Sequence, residues 1–133
     1  MIDVVCAILQ NESEEILIAK RSKGAHKDKW EFAGGKVNRG ESFKQALIRE
    51  IKEELNVEIK VNEYLCSAQH AYGEKKVNLH SYYAEITSGT IRPIEHKICH
   101  WVSLNEILEY DLLEADIPIA QAIIKHKTNK EDS

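Results

Sequence analysis

Long apolar runs are missing from this chain. Nothing in its 133 residues approaches the roughly 20 consecutive apolar residues of a membrane span, and no signal-peptide pattern precedes the first strand-like segment. Neither membrane partners nor export is therefore expected. Cysteine is scarce: Cys6, Cys66 and Cys99 share no metal-ligand spacing, and three thiols cannot all pair. That excludes a disulfide scaffold and points to a reducing cytoplasm. Each lies in an apolar segment, where a small core residue is expected rather than a nucleophile. A basic excess is missing too, since 18 Lys and Arg against 22 Asp and Glu give a net charge of −4. A nucleic-acid polymer, which needs a basic patch, is excluded as a partner. A small nucleotide is not, because a bound metal can supply positive charge locally. Repeats and low-complexity segments are absent. With 43% hydrophobic and 30% charged residues, residues 1–133 suit one globular domain, of which 128–133 (TNKEDS) read as a loose tail.

What is present is an alternation of strand and helix signals. Residues 2–9 and 16–20 read as strands joined by the polar turn NESEE, and a short strand WEFA leads into the pair Gly34-Gly35. These glycines are expected to turn the backbone tightly beside a ligand. Ser42 and Gln45 have capping-box spacing, so a helix should begin there, with Phe43, Leu47, Ile51 and Leu55 as its buried stripe. Val57, Ile59 and Val61 alternate with charged residues, and 64–72, 76–86 and 98–102 read as further strands. Ser103 with Glu106 repeats the capping-box spacing before a short helix, and a terminal helix is expected over 117–127. The order predicts an α/β protein with a mixed sheet between helical layers.

The most informative segment is 34–57, GGKVNRGESFKQALIREIKEELNV. At about 100° per residue, Glu50, Glu53 and Glu54 share one side of the helix beside its apolar stripe. Like charges at these offsets cost a helix a few tenths of a kcal/mol each, so a sequence that retains three has a cation to hold. Lys44, Arg49 and Lys52 offer the plainer alternative of a solvated, locally neutralised face. A glycine loop, a helix start and an acidic stripe in this order suggest a metal–phosphate site.

Gly35, five residues, Glu41, seven residues and then Arg49-Glu50-Ile51-Lys52-Glu53-Glu54-Leu55-Asn56-Val57 resemble the Nudix box. Every charged position matches. Asn56 replaces the usual glycine, at a helix end where asparagine is the next most tolerant residue. The segments WEFAGGKV, HSYYAEI, EHKICHWVSL and EYDLLEADIPIA extend the resemblance to the MutT-type branch. They are most like its CTP pyrophosphohydrolase members, with Ala33 where MutT itself has proline.

The resemblance implies an α/β/α sandwich and hydrolysis of a nucleoside triphosphate to monophosphate and pyrophosphate. It implies Mg2+, with Mn2+ as a substitute, held by Glu50, Glu53, Glu54 and the Gly34 carbonyl. An Arg49–Glu41 salt bridge would steady the loop and helix. Arg21 and Lys36 match phosphate-binding positions, and Glu95 a loop acid that joins the metal site or acts as base. Asp116 matches a base-binding asparagine, and it is also a good helix start before Pro118. An aspartate accepting from an amino group favours a cytosine nucleotide, (d)CTP or a modified dCTP, whereas a protonated one suits 8-oxo-dGTP. Phe32, Tyr72, Tyr82 and His26 are candidates for the base pocket, although strand aromatics also fill cores. His70, His80, His96 and His100 lack ligand spacing and are not read as metal ligands. The competing class is a nucleotide-binding module without catalysis, and a third reading exchanges the substrate for a nucleotide sugar or dinucleotide. Monomer and homodimer both remain open.

Overall fold

The computed structural model describes the backbone of residues 1–132 and the side chains of residues 1–129. Two sheets lie between two helices. One is mixed, in the order β4 (Gly34–Lys36), β1 (Ile2–Leu9), β6 (Lys75–Ser88), β5 (Glu58–Tyr72), with β1 and β6 parallel. The other is antiparallel, in the order β3 (Trp30–Glu31), β2 (Ile16–Arg21), β7 (His96–Val102).

The period of two in β1 explains why a helix covers each side. Val5, Ala7 and Leu9 join the core of α1 (Phe43–Leu55), built on Leu47, Ile51 and Leu55. Cys6 and Ile8 join the opposite core, with Ile119, Ala120 and Ile123 of α2 (Ile117–Asp132). Burying each of these large aliphatic side chains contributes roughly 1.5–3 kcal/mol. Neither helix could leave its sheet without exposing one of these two cores.

Local signals fix the ends of α1. Ser42 Oγ accepts from the Gln45 amide while the Gln45 side chain accepts from the Ser42 amide, the reciprocal capping box. Asn56 ends the helix in the left-handed region at φ 60°, and its amide donates to the Lys52 carbonyl.

Several expectations change in detail. Residues 58–72 form one long strand, with register shifts between Val61 and Cys66 absorbing the polar interruption there. The Ser103–Glu106 box does not form. The Ser103 carbonyl, not its hydroxyl, receives the amides of Glu106 and Ile107 before a 3₁₀ turn at Ile107–Glu109. The terminal helix passes Lys127 and runs through 128–132, the segment read as a tail, while Ser133 lies outside the described residues. The glycine pair is not a loop either. Gly34–Lys36 pairs antiparallel with Val4–Cys6 of β1.

Candidate active site

A cavity of about 410 Å3 opens where β4 and α1 meet the β1–β6 sheet, the β2–β3 strands and the 3₁₀ turn Glu114–Asp116. The acids of α1 reach it unequally. Glu50 and Glu54, four residues apart, line it, whereas Glu53 does not. Glu53 stands about 100° around the helix from Glu54. Its side chain is 54% exposed and bonded to Arg49 Nη1 at 3.2 Å. Glu54 shares the turn with Ile51 and Leu55 and is buried among them.

Burial pushes the Glu54 carboxyl up to about 9, and the nearby carboxylates of Glu31, Glu50 and Glu95 add to the shift. The Gly34 amide opposes it. Asp116 is also buried in the cavity wall and raised well above the carboxylate range, chiefly by desolvation and then by Glu31. Its Oδ2 accepts from the Phe32 amide at 2.8 Å.

Arg49 ties the helix to the preceding loop. It holds both oxygens of Glu41 (2.7 and 2.9 Å), Glu50 Oε1 (2.8 Å) and the Lys36 carbonyl (3.0 Å). That geometry is bidentate and charge-assisted, and it lowers the Glu41 carboxyl to about 2, with the Asn38 amide helping. Glu41 and Arg49 thus stand behind the cavity, where they fix the rim residue Lys36 and the wall residue Glu50.

On the opposite wall lie Arg21, Glu31 and His96. Glu31 Oε1 accepts from Arg21 Nη1 at 3.0 Å, and Glu31 Oε2 pairs with His96 Nε2 at 2.8 Å. The loop before β7 is stitched to the end of α1, since the amides of Arg92 and Ile94 donate to the carbonyls of Leu55 and Glu54. Ser22 Oγ donates to the Glu95 carbonyl at 2.6 Å. Those bonds bring Glu95 to the cavity mouth.

Phe32 and Tyr72 line the same cavity beside Asp116, with Leu113 and Ala115. His26 does not reach it. Its ring meets Tyr72 edge-on at 5.0 Å and borders a separate hollow with Lys29 and His70. Tyr82 pairs with Tyr64 elsewhere on the sheet.

Among the described residues, three buried side-chain polar atoms lack a partner: Arg21 Nε, Glu54 Oε2 and His96 Nδ1. All three belong to residues lining this one cavity. Unpaired buried polar groups cost roughly 1–3 kcal/mol each, so their convergence marks a place built for a polar ligand. No three carboxylates among the described residues are already gathered in ligating geometry. The donor set nevertheless fits a hard cation: acids that raise one another's proton affinity and a buried, unpaired carboxylate oxygen.

The NUDIX domain family profile matches residues 2–123. The chain belongs to the Nudix family. It is similar to the CTP pyrophosphohydrolase of Escherichia coli K12, at 39% identity over 124 residues, covering 93% of this chain and 92% of that protein. It is also similar to the 8-oxo-dGTP diphosphatase of the same organism, at 28% identity over 119 residues, covering 89% and 92%. The solution structure of the E. coli ORF135 protein superposes with a TM-score of 0.85 at 39% identity, covering 96% of this chain and 91% of that one. This Nudix chain is accordingly a hydrolase of phosphorus anhydrides, from a family whose members generally need a divalent metal. No helix among the described residues is long and apolar enough to cross a membrane.

Two cavity residues of this Nudix site, Glu31 and His96, were not singled out as functional from the sequence. Glu31 sits inside the quoted WEFAGGKV segment, but nothing about a lone strand glutamate reveals partners on two other strands. The glycine pair also gains a firmer explanation. A Cβ on Gly34 would collide with the Val5 carbonyl of β1, and one on Gly35 with the Glu50 carboxylate. Gly35→Ala is expected to leave the fold intact while displacing Glu50, lowering kcat at least tenfold. Steady-state kinetics beside a thermal melt checks this.

Proposed function

We propose that the chain is a Mg2+-dependent nucleoside triphosphate pyrophosphohydrolase, converting a (d)NTP and water to (d)NMP and pyrophosphate, with (d)CTP or a modified dCTP as substrate. The observation that carries the reading is one cavity lined by the carboxylates of Glu50, Glu54 and Glu95, by the cations Arg21 and Lys36, and by Phe32, Tyr72 and Asp116. A nucleoside triphosphate offers the matching partners, a polyanion for cations and metal-binding acids and a flat base for the aromatic residues.

In this reading Glu50 and Glu54, with the Gly34 carbonyl and Glu95, hold divalent ions, and Glu53 joins them by turning from Arg49. Mg2+, or Mn2+ in its place, would neutralise the phosphate chain and stabilise charge on the leaving group. Arg21 and Lys36 bind phosphate oxygens, Arg21 by its planar fork and Lys36 as a point charge at the rim. Glu53, Glu54 or Glu95 accepts the proton of the attacking water. Arg49 and Glu41 keep loop and helix in register. Phe32 and Tyr72 flank the base, which Asp116 reads by hydrogen bonding. His26 acts only through its edge contact with Tyr72. The enzyme works in the cytoplasm as a monomer or homodimer, on free nucleotides and not on polymers.

One observation favours 8-oxo-dGTP as the alternative substrate. Desolvation raises the Asp116 carboxyl well above the carboxylate range, which favours its protonated, donating form over the ionised acceptor that a cytosine amino group needs. The deciding experiment measures kcat/KM with CTP, dCTP, 5-methyl-dCTP and 8-oxo-dGTP. Equal amounts of nucleoside monophosphate and pyrophosphate are expected from at least one of them. Orthophosphate release, or tight binding without product, would overturn the reading.

A further inference from the structure

The three strands of the smaller sheet each bring one member of a polar chain to the cavity wall: Arg21 from β2, Glu31 from β3 and His96 from β7. Glu31 is central, because each of its oxygens serves a different partner, Arg21 Nη1 at 3.0 Å and His96 Nε2 at 2.8 Å. The carboxylate therefore reaches across β2, its own neighbour, to the strand beyond. At the same place the β2–β7 register slips between Lys20 and Arg21, a bulge that re-aims the Arg21 side chain. Arg21 Nε and His96 Nδ1, two of the nitrogens that Glu31 does not take, are buried and without a partner. His96 directly follows Glu95, whose carbonyl is held by Ser22, the residue next to Arg21.

We propose that Glu31 is a positioning residue: it locks the Arg21 guanidinium in its phosphate-binding orientation and, through His96, anchors the Glu95 loop to the same point. This rests on the triphosphate reading above and names what orients its phosphate grip. An arginine side chain loses much rotamer freedom when it clamps a ligand. A carboxylate that fixes Nη1 beforehand removes part of that loss and leaves Nη2 for the phosphate chain. The effect falls on binding before it falls on the chemical step.

The test uses Glu31→Gln, Arg21→Gln and the double variant, each checked for folding by circular dichroism. Two readouts are compared: KM and kcat with the preferred triphosphate, and calorimetric binding of α,β-methylene-CTP. Glu31→Gln is expected to raise KM and the analogue's Kd about tenfold while kcat falls less than threefold. In the Arg21→Gln background the same change should add less than a factor of two. The Mg2+ concentration for half-maximal rate should not move. Unchanged KM and Kd, full multiplication of the two effects in the double variant, or a tenfold rise in the Mg2+ requirement would each overturn the proposal. Should Glu31→Gln fail to fold, Glu31→Asp, too short to span both partners, is measured the same way. A wild-type protein that binds the analogue but turns over no nucleotide would remove the enzymatic reading, and the binding arm would still decide the role of Glu31.

Discussion

Glu54→Gln is expected to lower kcat by about 10²–10³-fold, the range seen when one preorganised charge-stabilising group is lost from an active site. The change is nearly isosteric, so packing against Ile51 and Leu55 survives. What disappears is a buried carboxylate whose Oε2 has no partner within the protein. The metal-free protein should respond in the opposite sense. A glutamine cannot ionise, so the variant should match wild-type stability near pH 4–5, exceed it increasingly as pH rises toward about 9, and keep a constant margin above that, where Glu54 is ionised in both states. Loss of activity combined with a gain of metal-free stability that grows from pH 5 to pH 9 separates a functional acid from a structural one. Denaturant titrations at pH 5 and pH 9, beside steady-state kinetics, supply both halves.

The pH dependence of the metal-free wild type is the second large effect. Glu54 is raised from an ordinary value of 4.5 to about 9, so between those limits the folded chain holds a proton that the unfolded chain has released. Stability then falls as pH rises, by up to about 1.4 kcal/mol per pH unit from this one group. Asp116 acts in the same direction, from its ordinary 3.8 upward. Glu41 acts in the opposite direction at the acid end. Lowered to about 2, it contributes stability above its ordinary range that is lost as pH falls toward 2. In chelator the protein should therefore be most stable near pH 4–5 and weaken steadily toward pH 9. Millimolar Mg2+ should flatten that decline, because a cation replaces the proton on Glu54 and drives its release. Guanidinium unfolding at unit pH steps, with EDTA and with Mg2+, would show it. A metal-free stability that rises from pH 5 to pH 9 would contradict the burial of that carboxylate.

The parts of this site that were legible in the sequence are those encoded by local periodicity. Ser42 and Gln45 form their capping box because both members lie within one turn. Leu47, Ile51 and Leu55 are buried, as their four-residue recurrence requires. The same spacing announced an acidic helix face, yet it could not say which acid would be inside. Glu53 and Glu54 are neighbours in sequence and are separated by solvent and core in space, a difference set by where the apolar stripe happens to seat. Glu31 was hidden for the opposite reason. Its partners are 10 and 65 residues away, on strands whose registry no short window contains. His26 was read as a base-pocket candidate, and the structure seats it edge-on against Tyr72 beside a neighbouring hollow, a placement no local sequence pattern reveals. The glycine pair was legible as a tight turn beside a ligand but not as a strand, and the crowding that forbids side chains there comes from Val5 and Glu50.

The most direct measurement is anomalous diffraction from a crystal holding manganese and α,β-methylene-CTP. Manganese peaks within ligating distance of the Glu50 and Glu54 carboxylates, with the phosphate chain running toward Arg21, are the expected result. Manganese bound elsewhere, or a nucleotide seated in the cavity with no ion beside those two acids, would contradict it.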